Sequence, residues 1–65
     1  MKHEIVQNQG ATVVIFKGEI DLESSPAARE TLLKCFGNTS NVIVDLSDVT
    51  YIDSSGVASL VEALQ

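Results

Sequence analysis

Two β-branched runs, Ala11 to Lys17 and Val42 to Leu46, are apolar at nearly every position rather than at alternate ones. A strand with one face in water alternates, so continuous runs of this kind are expected to be buried on both faces of a sheet. Between them lies a segment with its own helix start and stop. Ser25 can cap, Pro26 suits the first helical position, where its missing N–H costs nothing, and Ala27 to Phe36 is good helix-forming sequence. Ala28, Leu32 and Phe36, supported by Leu33 and Cys35, form the apolar stripe of that helix. Glu30 and Lys34 stand at i,i+4 in the favourable order, and Gly37 follows as a left-handed cap would. Two buried strands joined by a helix make a βαβ unit, which predicts parallel strands and a right-handed crossover.

The flanking segments complete the architecture. His3 to Gln7 reads as a strand and Asn8-Gln9-Gly10 as a turn, so an antiparallel hairpin places Ala11 to Lys17 inside the sheet. Gly18 is expected to end that strand, with Glu19-Ile20-Asp21-Leu22 as the connection to the helix. Asn38 to Asn41 is a loop. After Leu46, the residues Ser47 to Ile52 read as another loop with one or two inward apolar anchors. A second helix starts at Asp53-Ser54-Ser55-Gly56, and Val57, Leu60, Val61 and Leu64 repeat with the period of a helix lying on a sheet. The predicted class is α/β, a hairpin followed by βαβ and a second helix (order β-β-α-β-α), with the helices packed on a mixed sheet.

Composition narrows the function classes. At 65 residues the chain is one domain at most, and a chain this short buries only ~60% of the surface exposed on unfolding. Its apolar share of 45% is globular rather than disordered. The longest apolar run, Val13 to Phe16 with Ala11 and Thr12 before it, falls far short of the ~18–20 residues of a membrane span. The start, Met1-Lys2-His3-Glu4, has no signal-peptide character, so a cytoplasmic location without membrane insertion is expected. Cys35 stands alone, which excludes an internal disulfide, and reads as a small packed hydrophobe. Nine acidic against four basic side chains give a net charge of −5. Such a surface repels phosphate backbones, so no direct nucleic-acid contact is expected, and a partner should be basic or apolar at the contact. Asn38-Thr39-Ser40 matches a glycosylation sequon, a chance match without a secretory signal.

Catalysis finds no support. A serine nucleophile needs a base, and the one histidine, His3, lies at a strand start. Lys17-Gly18 is not a phosphate loop, no metal-ligand spacing occurs, and Asp45 and Asp48 read as solvated positions at a strand end. No catalytic residue, cofactor or metal ligand is therefore expected.

The informative residues sit in two loops, Gly18 to Ser25 and Ser47 to Gly56, at the carboxyl ends of the parallel strands, where open α/β sheets meet their partners. Asp53 or Ser54 can cap the second helix. If Ser54 caps, Ser55 lies in the first turn, rotated about 100° and free to face solvent. Gly56 removes a side chain just beyond it, letting a partner's backbone approach. A helix N-terminus tolerates a phosphate, because free N–H groups and the positive dipole end favour negative charge. Phosphate on Ser55 would thus spare the fold and act on an interface, where ~3–5 kcal/mol corresponds to roughly two to four decades in affinity. Helix capping alone is the simpler reading of the same four residues.

The stretch Val44-Asp45-Leu46-Ser47-Asp48-Val49-Thr50-Tyr51-Ile52-Asp53-Ser54-Ser55-Gly56-Val57 closely resembles the signature of STAS domains, named for sulfate transporters and anti-sigma-factor antagonists. Gly18-Glu19-Ile20-Asp21-Leu22 resembles that family's loop between its second strand and first helix. The resemblance covers essentially the whole chain and implies a non-enzymatic binding module. In the antagonist branch it makes Ser55 the phosphoacceptor of an anti-sigma factor that is also a serine protein kinase, bound only while Ser55 is unmodified. It places Asp53 beside the acceptor, and Asp21, Leu22, Ser24, Ser54, Gly56 and Val57 with it at the partner contact. The alternative branch is a STAS-type accessory subunit of an ABC transporter for phospholipids; the Ser-Ser pair leans toward the first. The family also continues with a further strand and at least one more helix, so residues 1–65 correspond to a partial domain whose third strand exposes an edge. A homodimer or domain-swapped oligomer is the expected remedy for so small a core.

Overall fold

The computed structural model describes all residues 1–65. Five elements follow one another: β1 (Lys2–Asn8), β2 (Ala11–Ile20), α1 (Ser25–Asn38), β3 (Val42–Ile52) and α2 (Ser54–Ala63). The sheet order is β1-β2-β3, with β1 antiparallel to β2 and β2 parallel to β3. The element order and mixed sheet are those expected from the sequence. Asn8 pairs with Ala11 across a two-residue turn in which Gln9 (φ 51°) and Gly10 (φ 83°) both take positive φ. That is the turn whose twist matches a hairpin, and glycine enters it without steric cost.

Both helices cover one face of the sheet. Val14, Phe16 and Ile20 of β2 meet Ala28, Leu32 and Cys35 of α1 and Leu60 and Ala63 of α2 in a single buried cluster. Fully burying Phe16 or Leu32 contributes ~1.5–3 kcal/mol each. The Thr12 hydroxyl, also buried, donates to Gln7 Oε1 at 3.1 Å, so no polar atom is stranded there. The opposite face carries Val13, Ile15 and Lys17 and is open; there Lys17 pairs with Glu4 of β1.

Several local expectations are corrected. The strands are not buried on both faces: β2 alternates buried and half-buried residues, and β3, an edge strand, leaves Ile43 54% exposed. Gly18 does not end β2. It adopts φ 88° within the strand, and β3 accommodates the irregularity with register shifts, Ile15–Lys17 facing Asp45–Asp48 and Gly18–Glu19 facing Val49–Tyr51. Ser47 to Ile52 is therefore bulged strand rather than loop, and Asp45 and Asp48 lie on it. At the first bulge Asp45 Oδ1 accepts from the Ser47 amide (2.9 Å) and hydroxyl (2.6 Å), which lowers the Asp45 pKa.

The helix ends differ too. Ser24, not Ser25, occupies the capping position of α1, and Ser25 is the buried first helical residue. The helix runs through Gly37 without a left-handed cap and stops at Asn38, where the Thr39 amide still reaches the Cys35 carbonyl. Leu33 stays 43% exposed, while Ala28, Leu32 and Cys35, with Phe36 partly buried beside them, seat α1 on the core. The exposed face forms an ion pair between Arg29 and Glu62 (3.6 Å) rather than between Glu30 and Lys34. On α2 the buried positions are Gly56, Leu60 and Ala63, while Val57, Val61 and Leu64 are 49%, 48% and 58% exposed.

Candidate protein-interaction site

The two loops singled out in the sequence come together where β2 and β3 end. Ile20 and Ile52 are register partners in the last step of the parallel pair, so Asp21 and Asp53 leave the sheet side by side. A hydrogen bond from the Asp53 amide to the Ile20 carbonyl (3.3 Å) ties the start of α2 to the end of β2.

Asp53 is the cap of α2. Its backbone is extended (φ −98°, ψ −177°), and its side chain accepts from the Gly56 amide at 2.9 Å. The choice left open between Asp53 and Ser54 is thus resolved for Asp53, and neither serine hydroxyl is used in closing the helix end. Ser54 is exposed and Ser55 half-buried, so Ser55 does not face solvent fully as the Ser54-capped arrangement would require. At about 100° per residue, Ser55 shares a flank of α2 with Ser59 and Glu62. Because Glu62 reaches Arg29 of α1, this flank is the one turned toward α1 and the loop that precedes it.

Gly56 has a role that sequence reading assigned to a partner. It is buried, and a Cβ built on it would lie 2.5 Å from the Ile20 carbonyl oxygen, 2.7 Å from Ile52 Cγ1 and 3.0 Å from Ile20 Cγ2. The missing side chain makes room for the molecule's own β2 and β3. Val57, by contrast, is exposed, on the flank of α2 away from α1.

The second loop is held by Asp21. Its Oδ1 accepts from the amides of Glu23 and Ser24 (both 3.1 Å) and from the Ser24 hydroxyl (3.0 Å). Ser24 Oγ accepts from the Asp21 amide (2.9 Å) and lies 3.1 Å from the Glu19 carbonyl, its other available acceptor. The Ser24 amide, then its hydroxyl, then the Glu23 amide stabilise the ionised carboxyl and hold the Asp21 pKa below its ordinary value. Ser24 thus spends its hydroxyl inside the loop. Leu22, at the loop tip, is 71% exposed and is the most exposed large apolar side chain of the molecule.

Sequence reading missed Ile20, whose carbonyl receives Asp53 and whose side chain packs under Gly56. The alternation Val14, Phe16, Ile20 pointed to it, but the assumption that Gly18 ends the strand hid it.

Comparison with known proteins gives one family. The STAS domain model matches residues 2–65. The anti-sigma-B factor antagonist of Bacillus subtilis (strain 168) is 34% identical over 58 residues, 89% of this chain and 53% of that protein. The crystal structure of an anti-sigma factor antagonist from Mycobacterium paratuberculosis superposes with a TM-score of 0.87 at 26% identity, covering 97% of this chain and 55% of that one. The anti-sigma factor antagonist SpoIIAA, in its unphosphorylated form, gives 0.70 at 17% identity over 97% of this chain and 60% of that one, a likeness of fold. The chain spans about half the length of the relatives it matches. With its β-β-α-β-α order, its mixed sheet and a family match running almost from end to end, this chain belongs to the STAS domain family.

Proposed function

We propose that the chain is a phosphorylation-regulated interaction module, an anti-sigma factor antagonist that binds its anti-sigma factor, a serine kinase, while Ser55 is unmodified. The observation that carries this reading is the division of labour at α2: Asp53 closes the helix end through Gly56, leaving the Ser54 and Ser55 hydroxyls free of that task. The name of the B. subtilis relative supports the same class of function.

The chemistry of the site is that of a substrate. The first amides of α2 have no carbonyl one turn back, so they and the helix dipole offer a phosphate on Ser55 a favourable end, offsetting repulsion from Asp53. The fold has no need to change. The effect falls on the partner, which meets a dianion where it met a hydroxyl. In this reading Leu22 is the apolar anchor, Ser54 and Val57 line the contact, and Asp21 and Ser24 act by fixing the loop that presents Leu22. ATP belongs to the kinase, and the chain itself does no catalysis.

The test is phosphosite mapping by mass spectrometry on protein recovered from its host under several growth and stress conditions, paired with binding of Ser55→Ala and Ser55→Asp to the kinase so identified. Phosphate on Ser55 that varies with conditions, with binding kept by the alanine variant and lost by the aspartate variant, is the expected result. Unmodified serines under every condition sink the mechanism.

A further inference from the structure

We infer that the Asp21–Ser24 turn and the first turn of α2 open and close as one unit, coupled through the peptide group that joins Ile20 to Asp21, with Ser24 as the positioning residue. Ser24 stands at the capping position of α1, where a serine ordinarily accepts from an amide two or three residues on. Here its side chain makes no such bond. Its Oγ turns back and accepts from the Asp21 amide at 2.9 Å. The hydroxyl proton goes to Asp21 Oδ1 (3.0 Å) or to the Glu19 carbonyl (3.1 Å). A capping serine thus leaves its usual partner and fixes one peptide group instead.

The other end of that peptide group lies at α2. The Ile20 carbonyl receives the Asp53 amide at 3.3 Å. The same oxygen lies 2.5 Å from where a Cβ on Gly56 would be. A peptide unit is planar and trans, so its N–H and C=O point opposite ways and turn together. Without the Ser24 bond the plane is free to rock about its long axis. Rocking swings the Ile20 oxygen off the Asp53 amide or into the space that Gly56 leaves open. Asp53 holds the first turn of α2, since its carboxylate accepts from Gly56 (2.9 Å) and its carbonyl from Val57 (3.0 Å). A displaced Asp53 therefore loosens that turn. Polarisation acts in the same sense, because a peptide group that accepts at C=O donates more strongly at N–H. The loop itself has other ties. Ser25 donates to the Asp21 carbonyl at 2.8 Å, and Asp21 Oδ1 accepts from the Glu23 and Ser24 amides. Removing the hydroxyl thus frees the peptide plane and leaves the loop closed. Under the proposed function, on which this one step rests, the unit joins the loop presenting Leu22 to the helix start carrying Ser54 and Ser55, so a partner that grips one stiffens the other.

The coupling needs no partner and is read on the free chain, by backbone amide exchange followed by NMR. Ser24→Ala should speed exchange at Asp53 and Gly56 about two- to tenfold, the range of one net hydrogen bond. Ser24→Thr keeps the hydroxyl and should restore the parent rates. Ser47→Ala is the control. It removes a hydroxyl that also binds a carboxylate, Asp45 at 2.6 Å, but on β3 and away from this peptide group, and should leave both amides unchanged. The Val14 and Phe16 amides in the middle of β2 report opening of the whole fold, which separates a local change from general loss of stability. Coupling is reciprocal, so Asp53→Ala should speed exchange at Asp21 by a similar factor. Parent rates at Asp53 and Gly56 in Ser24→Ala, an equal effect from Ser47→Ala, an equal rise at Val14 and Phe16, or no rescue by Ser24→Thr overturns the inference. None of these rates involves phosphorylation, so serines found unmodified in the host would sink the proposed function and not this coupling.

Discussion

Gly56→Ala sets helix propensity against packing, and the geometry decides the sign. Alanine is the better helix former, by about 0.8–1.0 kcal/mol in a helix interior and less in the first turn, where Gly56 sits. Its Cβ would meet the Ile20 carbonyl oxygen at 2.5 Å and Ile52 Cγ1 at 2.7 Å. The nearer atom is backbone at the end of a fully buried strand residue, so it cannot swing aside. Relief requires α2 and β2 to separate by most of an ångström. That movement lengthens the bond from the Asp53 amide to the same carbonyl, which is already 3.3 Å. Overpacking costs ~1–3 kcal/mol, and the lost hydrogen bond costs ~0.5–1.5 kcal/mol. Against a propensity gain of at most ~1 kcal/mol, the net destabilisation is about 2 kcal/mol.

In a domain of 60–100 residues, each kcal/mol at the midpoint moves Tm by about 4–8 °C, so Gly56→Ala should melt roughly 8–16 °C lower. Urea unfolding followed by circular dichroism should give a lower midpoint with an unchanged slope, because the surface exposed on unfolding is the same. Gly37→Ala is the control. No atom lies within 4 Å of its added Cβ, and its φ is not positive, so that variant should gain stability. A Gly56→Ala protein as stable as the parent would mean that α2 floats freely over the strand ends, and the coupling of the two loops through Ile20 would be wrong.

Asp53→Ala removes the cap of α2 and should cost about 1 kcal/mol, within a range of ~0.5–2, whereas Asp53→Asn should recover most of it; thermal melts of the two variants check this. Asp21 ionises more readily in the folded chain than in the unfolded one, because the Ser24 and Glu23 donors favour the carboxylate. Its contribution is therefore complete above about pH 4 and is lost as pH falls through its lowered folded-state value; the Ser24 amide resonance should titrate with a midpoint below the ordinary Asp range and stay flat in Asp21→Ala. Phe16→Ala empties the centre of the core and should cost ~3–5 kcal/mol. A chain of this size has only ~3–10 kcal/mol in hand, so the variant should be largely unfolded at 37 °C by circular dichroism.

The strands and helices were legible because apolar pattern and turn chemistry are local. Gln9 and Gly10 announce the hairpin, Pro26 the start of α1, and Asp53 with its serines the start of α2. The boundary failures at Gly18 and Gly37 share one cause, a reading of glycine as punctuation. Gly37 simply continues α1, since nothing crowds it. Gly18 lies inside β2 and marks a bulge, which the partner strand accommodates two elements of chain later, far beyond any local window. Burial was misjudged for a different reason. Val42 to Leu46 has the composition of a central strand, yet which faces are covered depends on how many strands and helices lie around it, and here β3 is an edge. The stripe of Val57, Val61 and Leu64 has the right period for a buried face, but Gly56 and Ala63 are the residues small enough to approach the sheet and α1, so they rather than the larger residues lie inside.

Ile20 explains why the site forms where it does. Its side chain fills the core beneath Gly56, and its carbonyl receives the Asp53 amide. Asp21, the next residue, turns its carboxylate back to bind Ser24 and Glu23, so the loop is fixed within one residue of the strand end. Leu22 is held out in water by that closure, Ser55 is kept half-buried in the first turn of α2 by the Asp53 cap, and both closures hang from one peptide unit. In the proposed function, a phosphate on Ser55 would be read beside a loop that Asp21 already ties to Glu23 and Ser24. A switch of the proposed kind would need no conformational change in this chain, and its energy would be expressed in the partner's fit.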